Sequence, residues 1–475
     1  MAGIGGTSTR ASPAADPSSS HFALVAARRS RGREGILLGE IAMSPMTAAA
    51  GILLAFTTSG AIRGAADKGV KASPAEQKIA WAQQAIEKNP SRHQSYNELA
   101  MALARRARET SDVSFYAQAD AALEKSFQLA PDNLEGEKVR TWVLLGKHEF
   151  AKARELARAL NKRTPDDVLI YGFLADANIE LGSYDEAEEA AQWMLDIRPG
   201  NVPGLTRAAY LRELFGDIDG SIELMNSAYQ QTQPAETEDR AWILTQIAHL
   251  HILTGKLADA EKLLQQALTL FPGYHYALGN LAQVRIAQRQ YSKAVELLRQ
   301  RYEGAPHVEN LYALAEALER SGNLGEAKAA YREFERRACK ETAWADNANR
   351  ELIFYYADHA RQPERALRIA RLEAGRRRDV HTLDAYAWAL YASGRFAEAR
   401  RQIESALAVG VRDSKLFYRA GAIALKSRDR LAAARYFKQS LDLNPRSESA
   451  GVARKALLRL EQQAPTRSRS GSHSS

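Results

Sequence analysis

One cysteine, Cys339, is present in 475 residues. An internal disulfide framework, a CxxC redox pair and a thiolate zinc site built within one chain are therefore excluded. The chain also lacks an HExxH helix, a GxxxxGK phosphate loop, a GxGxxG turn after a strand and a nucleophile elbow, so the commonest signatures of catalysis are missing. No apolar run reaches the roughly 20 residues that a membrane-crossing helix needs. Charge of one sign is scarce in the body of the chain. The net charge is +8, but residues 1–72 and 462–475 carry six of those eight charges, so the stretch between them is close to neutral. Such a body has no field to steer it onto nucleic acid.

Two smaller features have plain readings. His249 and His251 come nearest to a metal pair, yet at a spacing of two on a helix they point in different directions. Arg376, Arg377 and Arg378 form the densest basic run and are expected at a solvated helix end. No cofactor is implied.

The ends differ from the middle. Residues 1–72 read as a disordered leader, rich at first in Ser, Gly, Ala and Arg, and residues 463–475 as a disordered tail. Within the leader, residues 46–61 join a short apolar stretch to small residues ending Ser59-Gly60-Ala61, the shape of an export signal. Export, for example to a periplasm, is the expectation, with a cytoplasmic location as its alternative.

From Pro74 to Gln462 helical periodicity dominates, and it repeats. Prolines at 131, 165, 199, 234, 272 and 306 are 34, 34, 35, 38 and 34 residues apart. A second ladder runs through Ala119, Ala153, Ala187, Ser221, Ala260, Ala294, Ala327, Ala366, Ala399 and Ala433, mostly in steps of 33 or 34, with steps of 39 before Ala260 and Ala366. Glycines 146, 182, 216, 255, 322 and 394 fall mid-unit, where a glycine closes a helix cheaply in the left-handed conformation. Small residues such as Ala175 and Ala187 let two antiparallel helices approach closely. One hairpin cannot bury its apolar face alone, so neighbours must stack.

This pattern resembles the tetratricopeptide repeat, best in Ala241–Pro272, where Leu244, Ile247, Ala248, Gly255, Leu257, Ala260, Leu264, Ala267, Leu268 and Pro272 each stand at a family position. Similar units begin near His93, Leu134, Val168, Val202, Ala241, His275, Val308, Asn347, Val380 and Ser414. The resemblance implies an all-α fold, a right-handed α-solenoid of stacked antiparallel helix pairs. The expected organisation is an array over 73–338 with a leading helix, an irregular bridge at 339–346 that breaks the superhelix and could act as a hinge, and a second array over 347–462 ending in a capping helix. About seven extra residues, Arg108 to Ser114, separate the helices of the first unit.

In this family the first helices line a concave groove that holds a peptide. The resemblance thus points to Tyr210, Trp242, His249, Tyr276, Asn280, Gln283, Tyr312, Glu316, Asp384, Trp388, Tyr391 and Tyr418, an aromatic row of the kind enriched at binding hot spots. The competing reading places several of these rings in the core. Positions that would clamp a C-terminal carboxylate carry no basic set. The implied function is a non-catalytic scaffold for a protein or peptide, with no nucleic acid and no membrane span expected. Two alternatives are an RNA-binding helical array of the related 35-residue kind and an assembly factor for an envelope or secretion complex.

Overall fold

The computed structural model describes residues 72–462. The expected export segment and tail lie outside them, as does the expected leader save for its last residue. Among the described residues every regular element is helical. Helix α1 (Pro74–Lys88) precedes ten hairpins. Their first helices are α2 (His93–Thr110), α4 (Leu134–Gly146), α6 (Val168–Glu180), α8 (Val202–Leu214), α10 (Thr237–Leu253), α12 (His275–Ala287), α14 (Val308–Arg320), α16 (Asn349–Phe354), α18 (Val380–Ala392) and α20 (Ser414–Lys426). Their second helices are α3 (Ser114–Leu129), α5 (Phe150–Arg163), α7 (Tyr184–Ile197), α9 (Ile218–Gln231), α11 (Leu257–Leu270), α13 (Tyr291–Gly304), α15 (Leu324–Glu341), α17 (Pro363–Ala374), α19 (Phe396–Ala408) and α21 (Arg430–Leu443), and α22 (Ala450–Gln462) ends the stack. The fold is an all-α solenoid.

Local chemistry explains the hairpins. Asn133, Asp167, Asn201, Asp379 and Asp413 each accept a backbone N–H at the start of a first helix, from Gly136, Leu169, Gly204, Thr382 and Leu416 respectively. Each such cap contributes about 1 kcal/mol. Gly182 and Gly255 close first helices at φ +76° and +74°. Ala153, Ala187, Ala260, Ala294, Ala366, Ala399 and Ala433 are all fully buried. These methyl groups set the close approach of the paired helices, which a larger side chain would push apart.

The bridge differs from expectation. Helix α15 continues through Glu341, so the irregular segment begins at 342 rather than 339. Tyr331, Phe334 and Ala338 keep an apolar stripe along α15, and it packs with Leu352, Ile353, Tyr356 and Ala366 in one continuous core. No break in packing separates the two expected arrays. The first helix of this unit ends in a π-helical turn, Tyr355–His359.

The largest unforeseen feature is that the solenoid closes on itself. Nδ1 of His148 in unit 2 lies 3.1 Å from Asp346 Oδ1. In unit 3 the Glu180 carbonyl accepts the Arg378 N–H at 3.0 Å, and the Tyr184 hydroxyl oxygen accepts the Val380 N–H at 3.0 Å. In unit 4, a Cβ added to Gly216 would sit 2.6 Å from the carbonyl oxygen of Gly410. In unit 5, Asn444 Nδ2 donates to the Ile252 carbonyl at 3.3 Å. In every case the region of the turn inside one unit meets the connection that follows the fifth unit downstream. Apolar packing crosses the same seam, joining Ile179, Leu211 and Leu214 to Val380, Leu383 and Val411. Successive coils therefore share a core, which a stack with only nearest-neighbour contacts would not do.

Candidate functional site

Two irregular units, 1 and 5, close the first coil. Part of the insertion expected between the helices of unit 1 is helical, extending α2 to Thr110, and α10 starts at Thr237, a turn before the Ala241 that the repeat pattern marks. These two departures from the 34-residue period meet. Arg105 Nη2 lies 2.6 Å from Glu236 and 2.9 Å from Asp239, while Arg108 pairs with Glu238 and Asp239. The Glu238 side chain has no solvent exposure, and the Tyr274 hydroxyl donates to it at 2.6 Å. Burial works against the Arg108 charge, but Glu238 and Asp239 outweigh it and hold the guanidinium well above its ordinary range. Units 1 to 5 are thereby clasped into a ring.

Inside the ring is a cavity of about 840 Å³, a volume typical of ligand sites. First helices of all five units line it: Trp142, Phe173, Tyr210 and Trp242 supply aromatic wall, and Ile243 adds aliphatic surface. Its charged groups are already paired. Arg207 Nη2 meets Asp176, and its Nε donates to the Gly172 carbonyl at 3.1 Å; Arg105 and Arg108 belong to the clasp. Burial, then Glu180 and Glu213, push the Tyr210 phenol well above its ordinary pKa, so it stays a neutral donor. The space is an apolar chamber with an electroneutral rim.

Of the twelve residues expected in a groove, Tyr210 and Trp242 lie together in this chamber. The others do not join them. His249 Nε2 is 3.1 Å from Glu213 Oε1, whereas His251 lies near Asp259 and Asp219. Tyr276 packs edge-on to Tyr274, Asn280 donates to the Tyr276 carbonyl, and Gln283 is exposed. Tyr312 is a core residue, packed 5.0 Å from Phe334 between ring centroids. Its hydroxyl donates to Glu316 at 3.3 Å. Burial would raise the Glu316 carboxyl, but His359, Lys415 and Arg320 outweigh it and bring it to about 2. Asp384 is buried against Arg419 of the next unit, a structural pair rather than a groove contact. Trp388 stacks on Tyr391 at 4.6 Å and donates to Asp358, while Tyr418 packs on Phe437. Tyr312 and Asp384 are covered by their own hairpin and by the next unit, so neither faces an open groove. The offset rule also passed over Trp142 and Phe173, which line the chamber.

Arg377 corrects another expectation. It is 4% exposed and sits between Glu373 and Glu180, so the middle of the basic run is not solvated, while Arg378 beside it is exposed. Among the described residues no group of three His, Cys, Asp or Glu side chains converges to hold a metal ion, and no helix is long and apolar enough to cross a membrane.

A ring of helical hairpins defines a class, the helical-repeat proteins. Four stretches match the family described as Tetratricopeptide repeat: residues 142–202, 251–303, 308–337 and 385–448. The chain is a tetratricopeptide-repeat protein, and that family supports a protein-interaction scaffold. No curated protein matches it. Among solved structures it is similar to the type IV pilus biogenesis factor PilW (15% identity, 43% of this chain and 93% of that chain, TM-score 0.37). It is also similar to yeast Tom70 (15% identity, 82% and 98%, TM-score 0.37). A third is human IFIT1, solved as a dimer with PPP-AAAA (13% identity, 78% and 87%, TM-score 0.46).

Proposed function

We propose that this protein is a non-catalytic scaffold that holds an uncharged, apolar segment of a partner protein in the chamber of its first coil. The observation that carries this reading is the convergence of Trp142, Phe173, Tyr210 and Trp242 from four consecutive units on one space. Aromatic rings offer large contact area at small entropic cost and dominate binding energy when they line a desolvated pocket. A rim whose cations are already paired gives no advantage to a charged ligand, since charge entering it would lose water without gaining an unpaired partner. Residues 46–61 support export as the setting in which the scaffold works, and sequencing the N-terminus of the mature protein tests that part.

The chamber is tested by capturing partners from the source cell with the unaltered chain and with a Tyr210→Ala/Trp242→Ala variant. Loss of the same partner from the variant, at unchanged helical content by circular dichroism, is the expected result. Equal recovery would place the binding surface elsewhere.

A further inference from the structure

A second opening, at the seam between coils, has the opposite electrostatic character. A cleft of about 920 Å³ lies where the turn between α12 and α13 meets the connection from α21 to α22. Arg289, Arg320, Arg446 and Arg454 line it, against a single acid, Glu448. Arg320 is already neutralised, with Nη2 3.2 Å from Glu448 and 3.6 Å from Glu316. Among the described residues the other three guanidinium groups have no carboxylate within ion-pair distance, although Arg454 donates to the Pro445 carbonyl. At the clasp and around the chamber, by contrast, the arginines are matched by acids.

Three unpaired cations, Arg289 from unit 6 and Arg446 and Arg454 from the end of the array, repel one another, and the repulsion is relieved when an anion enters. A guanidinium presents a planar fork of donors that suits a phosphoryl group, which brings nearly two negative charges and three acceptor oxygens to one point. A singly charged carboxylate would leave most of the cleft's charge unmatched. A polynucleotide fits poorly, because these arginines are confined to one cleft instead of forming a continuous basic track along the units. We propose that this cleft binds a phosphoryl group carried on a segment of a protein partner, at a site separate from the chamber. Because one wall belongs to units 6 and 7 and the other to the connection into α22, the bound group ties the end of the array to its middle.

The test is calorimetric titration of the full chain with a phosphoserine peptide of otherwise uncharged residues, its unphosphorylated twin, and inorganic pyrophosphate. The phosphopeptide is expected to bind at least tenfold tighter than its twin, with affinity falling as salt rises. Arg446→Ala/Arg454→Ala, both exposed positions, should lower that affinity at least tenfold, while Arg371→Ala, on an exposed part of α17, should leave it unchanged. Hydrogen exchange on the unaltered chain should slow at 288–291 and 445–451 when the phosphopeptide is added. Retention of the chamber variant's phosphopeptide affinity is also expected, which separates this proposal from the preceding one. Equal binding by the double-arginine variant overturns the site. Pyrophosphate binding without phosphopeptide binding overturns the protein-borne source, and tighter binding of a single-stranded RNA oligomer at the same arginines overturns the peptide.

Discussion

Glu180 Oε2 lies 3.5 Å from Arg377 Nη1, although the two residues are 197 positions apart in the sequence. Arg377 Nε also donates to Glu373 Oε1 at 2.6 Å, and the Asn347 and Asn349 amides donate to the other oxygen of Glu373. With Glu373 1% exposed, this is a buried polar staple between coils. Removing one member of such a pair costs more than the pair contributes, because the remaining charge stays buried. Arg377→Ala should therefore destabilise the chain by about 3 kcal/mol, read as a lower denaturation midpoint, and Arg377→Ala/Glu373→Gln should recover part of the loss. An unchanged midpoint for the single variant would show that the coils do not depend on this contact.

Gly216 and Gly394 separate two roles of glycine. Both have positive φ, +84° and +74°, but a Cβ on Gly216 would lie 2.6 Å from Gly410 O whereas one on Gly394 meets nothing within 4 Å. Gly394→Ala should cost about 1 kcal/mol, the left-handed penalty alone. Gly216→Ala should cost more and should speed hydrogen exchange at 409–412. Equal costs would mean that backbone contact at the seam contributes nothing.

The clasp makes its own prediction. Arg105→Ala/Arg108→Ala leaves Glu238 buried and without its cation. Faster hydrogen exchange over 93–110 and 236–241, together with a larger radius of gyration by X-ray scattering, is expected as the ring of units 1 to 5 opens. A radius equal to that of the unaltered chain would show that apolar packing alone holds the ring.

His307 gives the seam a dependence on pH. Its Nε2 is 3.8 Å from Asp346, which His148 also contacts, and its Nδ1 is 4.0 Å from Glu309. Burial disfavours the charged ring, but the carboxylates of Asp346, Glu309 and Glu341 outweigh it and raise the pKa to about 9. A histidine raised above its ordinary value of about 6.5 contributes stability that is complete below that value and is lost as pH rises through the folded pKa. Stability should fall by on the order of 2 kcal/mol between pH 7 and 9.5, and His307→Gln should flatten that interval. Parallel curves for the two proteins would remove His307 from the account.

Much of the fold was legible before any coordinates. Eight of the ten first helices begin at the residue that the repeat spacing marks, and the two exceptions, Thr237 and Asn349, lie in the units bracketed by the 39-residue steps. Less of the site was legible. Tyr210 and Trp242 share one cavity because repeat offsets select inward-facing positions, whereas Tyr312 and Asp384 are buried, because offsets do not report what stands opposite. Arg377 was misread for the same reason: it looks solvated until Glu180 of another coil is found against it.

The amino-acid sequence by itself determined the hairpins: capping residues, left-handed glycines and buried alanines act within some 34 residues of one another and need no distant partner. Only the tertiary structure decided how many hairpins complete a coil. That number depends on a small rotation added at each interface, and the period carries no trace of it. The clasp, the aromatic chamber, the buried Arg377 and the arginine cleft all follow from that accumulated angle, which brings side chains from distant units face to face.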